Sequence, residues 1–179
     1  MSITFAPSDP ALAEWWFQDR QEAETLRFNP LAPSTVESLK ERLSKASSDL
    51  GLFDTSDSYF WFVKEDDRIV GHVTMQNINR MMLTAEIGYG ISSSFRGRGL
   101  ATLAVHKLAK EAFSRTSLRK LIAFVHEGNV PSRKALEKVG FRQEGVLREH
   151  YLVNGVPTDE VIYGLLRSDL IKISESTDR

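Results

Sequence analysis

Hydrophobic positions change their spacing along this chain, and the changes divide it into elements. Up to about residue 47 they recur at helical intervals, bordered by polar punctuation. Asp9-Pro10 reads as a cap followed by a first-turn proline, and Ser34 to Glu37 (STVE), just after Pro33, reads as a capping box. Helices are predicted over roughly 10–27 and 35–47. The spacing then shortens: SYFWFVKE, RIVGHVTMQNI and LTAEIGYGI are rich in β-branched and aromatic residues and are separated by Asp66-Asp67 and by the residues around 79–81. Three consecutive strands in a meander are predicted.

From Leu100 the helical spacing returns, with apolar residues at 100, 103, 104, 105, 108 and 112, and RKLIAFVH at 119–126 reads as a further strand. A strand–loop–helix–strand order of this length predicts one parallel neighbour pair. NVPSRKALEKVG follows as a short helix with Asn129 as cap, Pro131 in its first turn and Gly140 at its end. FRQEGVLREHYLV and VPTDEVIYGLL flank Asn154-Gly155, a preferred two-residue hairpin turn, and the polar tail after Asp169 is expected to be loose. The predicted fold class is α/β in the α+β sense: a mixed, mostly antiparallel sheet with one parallel βαβ step and flanking helices.

Composition narrows the chemistry. The chain has 179 residues, 41% hydrophobic and 26% charged, which suits one domain with one core. A net charge of −1 gives no global pull toward nucleic acid or an anionic membrane. Cysteine is absent, which removes thiolate metal sites and a cysteine nucleophile; no metal is expected. The amino terminus has no secretory pattern and no run is long enough to span a bilayer, so a soluble, cytoplasmic protein is expected.

Local charge is different. Between residues 92 and 120 seven basic residues stand against one acid, a net of +6. Two of them, Arg96 and Arg98, alternate with Gly97 and Gly99 directly ahead of the predicted helix, whose first amides suit an anion. A tight strand-to-helix turn with solvated arginines is the plainer reading of the same residues, and Lys107 and Lys110 read as a solvated helix face. A Walker loop fails because Leu100 and Ala101 follow Gly99, and a dinucleotide fingerprint fails because Thr102 stands where its third glycine belongs.

Arg96-Gly97-Arg98-Gly99-Leu100-Ala101 resembles the Arg-x-x-Gly-x-Ala pyrophosphate loop of the GNAT superfamily of N-acetyltransferases. NVPSRKALEKVGFRQEGVLRE is similar to the Asn-x-x-Ser and Glu-Lys-x-Gly-Phe-x-x-Glu-Gly segment of its RimJ/RimL-like, ribosomal-protein-alanine branch, and the likeness covers about 83–166. The resemblance implies one N-acetyltransferase domain over 1–179, with 1–80 supplying the amino-terminal helices and first strands and 83–166 the acetyl-CoA-binding and catalytic half. It implies strands that splay apart, with backbone groups of Tyr89 and Ile91 pairing with the pantetheine amides and residues 96–101 holding the diphosphate. It further implies that Asn129 holds the pantetheine arm and that Ser132 protonates the leaving thiolate, since Leu136 occupies the position where many relatives carry a tyrosine.

Without cysteine, direct attack of the amine on the thioester is expected. Glu86 is the candidate base and also reads as a solvated strand residue; His126 is a second candidate. Trp15 and Trp16 are candidates for a substrate groove, though both cannot face the same way. Asp159 matches an acidic family position. Neutralising an α-amino group at pH 7 costs about 1–1.4 kcal/mol, against about 4.6 for a lysine-like amine, which favours a protein or peptide amino terminus, such as a ribosomal protein. The alternatives are a small-molecule amine (polyamine, amino acid or antibiotic) or a silent acyl-CoA sensor. Neither direct nucleic-acid contact nor a membrane partner is expected, and a monomer or homodimer is.

Overall fold

The computed structural model describes residues 2–28, 34–153 and 155–170. Its centre is a seven-stranded sheet in the order β1-β2-β3-β4-β5-β7-β6. The strands are β1 (Ile3–Pro7), β2 (Tyr59–Glu65), β3 (Arg68–Asn79), β4 (Thr84–Ile91), β5 (Lys120–His126), β6 (Arg142–Val153) and β7 (Val156–Leu166). The helices are α1 (Ala13–Gln21), α2 (Ala23–Leu26), α3 (Val36–Lys45), α4 (Leu100–Arg115) and α5 (Val130–Val139). The expected meander is β2–β3–β4, and β4 and β5 form the expected parallel pair.

Side-chain alternation along the strands builds two cores, one on each face of the sheet. Ala85, Ile87, Leu121, Ala123 and Val125 pack with Leu100, Ala104, Val105 and Leu108 of α4 and Leu136 and Val139 of α5. On the other face Phe60 and Phe62 pack with Ala13 and Trp16 of α1 and Leu39 and Leu43 of α3. Glu86, Gly88 and Gly90 of β4 alternate with the first set and therefore lie on the α1/α3 face.

Three details differ from the sequence reading. The five-residue β1 was hidden: its pattern is too short to register, and it forms by pairing with β2 at the sheet edge. The helix expected at 10–27 is a 3-10 turn at Pro10–Leu12, then α1, then α2 after an extended break at Glu22 (φ −59°, ψ 133°). That break lets the Glu22 carboxylate accept from the Ser93 amide at 3.1 Å and Thr25 accept from Arg96 at 2.8 Å. The capping box at α3 is formed by Thr35 and Ser38, one residue later than read, in the register that buries Leu39 and Leu43. Pro33, Asn154 and the tail beyond residue 170 lie outside the described residues.

Candidate active site

Pairing between β4 and β5 covers only Thr84–Glu86 against Lys120–Ile122. Beyond it β4 stays with β3 as far as Ile91, while β5 stays with β7 as far as His126, so the sheet parts in the middle. The Ser92 amide donates to Val70 at 3.0 Å, which sets the phase of the antiparallel ladder. By alternation the backbone groups of Gly88 and Gly90 point to β3, and those of Ile87, Tyr89 and Ile91 point into the gap. Of these, the Ile91 carbonyl accepts from Arg96 Nε at 2.8 Å.

The loop after β4 closes the top of the gap. Gly97 and Gly99 have φ of 76° and 78°, and a Cβ at either would meet nothing within 4 Å, so conformation rather than space calls for glycine. Gly99 is the N-cap of α4, which has neither a side-chain cap nor an acid in its first turn. Its leading amides are thus free of side-chain acceptors, an arrangement that suits a diphosphate. The arginine side chains are already engaged. Arg96 binds the Ile91 carbonyl and Thr25, and Arg98 forms an ion pair with Glu65 at 2.8 Å.

Across the gap Asn129 caps α5, its Oδ1 accepting from the Ser132 amide at 3.2 Å. Ser132 lies in the first turn, with its Oγ 2.7 Å from the Tyr89 hydroxyl, where either oxygen can donate. The Tyr89 hydroxyl also donates to the Ser132 carbonyl at 3.2 Å. Burial pushes the Tyr89 phenol up to about 12, with the Ser132 hydrogen bond pulling the other way, so it keeps its proton at neutral pH. Sequence reasoning used Tyr89 only for its backbone; this hydroxyl pair spans 43 positions and has no local signal. Leu136, by contrast, is fully buried in the core.

The opposite face carries Glu86, beside the point where β4/β5 pairing stops. Its Oε1 accepts from Gln76 Nε2 at 3.0 Å and its Oε2 from Asn77 Nδ2 at 2.7 Å. Asn77 reaches it from a β-bulge, at φ 50°. Glu160, which sequence reasoning did not single out, is only 2% exposed. Burial raises its carboxyl above the usual range and the Glu86 charge adds to this, while Tyr151 and His150 oppose it. His150 Nε2 lies 3.5 Å from Glu160 Oε2.

The other candidates are placed as follows. His126 Nδ1 accepts from the Gly128 amide at 3.0 Å and its ring meets Phe28 edge-on, so it shapes a turn at the mouth of the groove. Asp159 faces away from Glu160 and accepts from the Glu149 amide at 2.8 Å, holding the β6 bulge. Trp16 is buried against Phe60 and His72, and Trp15 packs edge-on to Phe62. Lys107 pairs with Glu111 at 3.8 Å on the outer face of α4.

A sheet parted beside its single parallel pair, with an uncapped helix at the opening, is the fold of an acyl-CoA-dependent acyltransferase. Residues 3–142 match the family model described as an acetyltransferase (GNAT) domain, and the chain belongs to that family. It is an N-acetyltransferase that takes its acetyl group from acetyl-CoA. The chain is 30% identical over 162 residues to the "Putative ribosomal N-acetyltransferase YdaF" of Bacillus subtilis (strain 168), covering 88% of this chain and 85% of that protein. It is 32% identical over 107 residues to the spermidine N(1)-acetyltransferase of Escherichia coli (strain K12), covering 60% and 57% respectively. Among solved structures, Mycobacterium smegmatis RimJ in complex with CoA-disulfide superposes with a TM-score of 0.82 at 25% identity, over 94% of this chain and 83% of that one. No helix among the described residues is long and apolar enough to cross a membrane.

Proposed function

We propose that the protein acetylates the N-terminal α-amine of a protein or peptide, with a ribosomal protein as the foremost acceptor class. The observation that carries this reading is the division of labour along one strand. Glu86 faces the α1/α3 groove and Tyr89, three residues on, contacts Ser132 on the other side of the sheet. Base and acid are thereby separated by the gap in which the thioester would lie. The similarity to a ribosomal N-acetyltransferase points the same way.

Bound acetyl-CoA supplies an acetyl thioester. The amides leading into α4 hold its diphosphate, and the gap-facing groups of Tyr89 and Ile91, with Asn129 opposite, align the pantetheine arm as an added strand would be aligned. Glu86 takes the proton that the amine releases as the C–N bond forms. Ser132 gives a proton to the sulfur as the C–S bond breaks, and Tyr89 restores it. Solvent then returns both groups to their starting states, so the net products are an amide and a thiol.

A second reading, a polyamine acceptor, has its own support in the two carboxyls Glu86 and Glu160 sharing the groove and in the similarity to a spermidine acetyltransferase. The readings separate in one experiment: mass spectrometry of a peptide library with free and blocked amino termini, incubated with acetyl-CoA alongside spermidine. Acetylation confined to free α-amines is expected. Labelling of lysine side chains or spermidine in preference to them would overturn the proposal.

A further inference from the structure

The groove has a second pole. Arg20 of α1 and Arg42 of α3 both meet Trp16, with guanidinium carbons 5.3 and 5.2 Å from its ring centroid. Among the described residues neither has a carboxylate within ion-pair distance, although most other arginines of this face and its loop have polar partners. Arg20 Nε is sealed from solvent with no acceptor among the described residues. Two like charges held together are costly in isolation. Burial first, and the charge of Arg42 second, lower the proton affinity of Arg20, and burial followed by the charges of both arginines keeps the half-buried His72 neutral.

The pair also stands next to the proposed base. Arg42 Nη2 lies 3.4 Å from Gln76 Oε1, and the same amide donates to Glu86 at 3.0 Å. His72 faces Gly90 across β3 and β4, so the floor between the arginines and Glu86 is the glycine-bearing stretch of β4. The groove is therefore cationic at one end and, through Glu86 and Glu160, anionic at the other.

We infer that the acceptor amine carries a carboxylate, and that Arg20 and Arg42 hold it while Glu86 receives the ammonium group. This rests on the reading of the Glu86 face as the acceptor site. A polyamine would press a second ammonium against two guanidinium groups. An α-amino acid, or a peptide with an acidic residue soon after its amino terminus, matches both poles, since each residue adds at most about 3.3–3.6 Å of reach. The peptide is the source that accords with the proposed function.

The test compares kcat/KM for Ala-Asp-Ala-amide, Ala-Asn-Ala-amide, a free α-amino acid and spermidine, in the wild-type protein and in Arg20→Gln, Arg42→Gln and the double variant. Tenfold or greater preference for the aspartate peptide is expected, expressed mainly in KM, collapsing toward unity in the double variant and partly kept by Arg20→Lys with Arg42→Lys. Acetyl-CoA affinity and thermal melting establish that each variant is folded. An aspartate-to-asparagine ratio left intact by the glutamine substitutions, or faster turnover of spermidine than of the aspartate peptide, overturns the inference. Turnover of the free amino acid with none of either peptide would defeat the peptide reading yet uphold the carboxylate.

Discussion

The two sides of the parted sheet are built from different materials. On the proposed donor side the groups that face the gap are main-chain groups of β4, the loop and the start of α4, the loop set by two left-handed glycines, with Asn129 capping α5 opposite. On the proposed acceptor side they are side chains from α1, α3, β3, β4 and β7, brought together only by packing. A backbone site depends on conformation and tolerates changes of side chain that preserve it. A side-chain site can be re-specified one residue at a time, which suits a family that keeps its donor and varies its amine.

Substitutions on the two sides should then fail in different ways. The largest effect is expected from Gly99→Glu, which forces a Cβ into φ 78° and sets a negative charge where the diphosphate binds. Acetyl-CoA affinity measured by calorimetry should fall about 100-fold or more, a loss of about 2.7 kcal/mol. Undiminished binding would break the contrast at its root.

Next, Glu86→Gln should keep that affinity while lowering kcat by about 10²–10⁴-fold. An unchanged kcat would leave Glu86 a structural residue. Ser132→Ala and Tyr89→Phe should each cost about 10–100-fold in kcat. Their double variant should be little worse than the poorer single, because the two hydroxyls act as one unit. Additive losses would separate them.

A last effect, small near neutral pH, concerns stability. The folded-state value of His72 is depressed to about 3, by burial first and by Arg20 and Arg42 second. An imidazole that resists protonation in the folded state makes the unfolded state bind more protons between pH 6.5 and about 3. Stability should therefore decline as pH falls through that window, by at most about 1.4 kcal/mol per pH unit for this one group. Melting curves of His72→Gln should show a shallower decline than wild type, and an identical one would remove His72 as a contributor.

The same contrast explains what could be read from the letters. Gly97, Gly99, Asn129, Pro131 and Gly140 each report a local backbone requirement, so the loop, the start of α4 and both ends of α5 were legible. Glu86 was legible as a residue, but its face depended on strand parity that only the folded sheet resolves. Glu160 was hidden because it ends the polar run Thr158-Asp159-Glu160, which reads as solvated, and its burial comes from β5 and β6 on either side. Arg20 and Arg42 carry no local signal, since their proximity depends on α1 packing against α3. The break at Glu22 left no trace either: neither proline nor glycine marks it, and the partner it serves, the Ser93 amide, is 71 positions away.

A strand rim with vacant hydrogen-bonding groups usually invites a second chain to attach and start a fibril. Here the vacant rims of β4 and β5 are turned inward, toward each other, and the outer margins of the sheet are left to the five-residue β1 and the bulged β6. The molecule can thus keep adhesive backbone on permanent offer to a narrow, extended guest while showing its neighbours in solution little that they could zip onto.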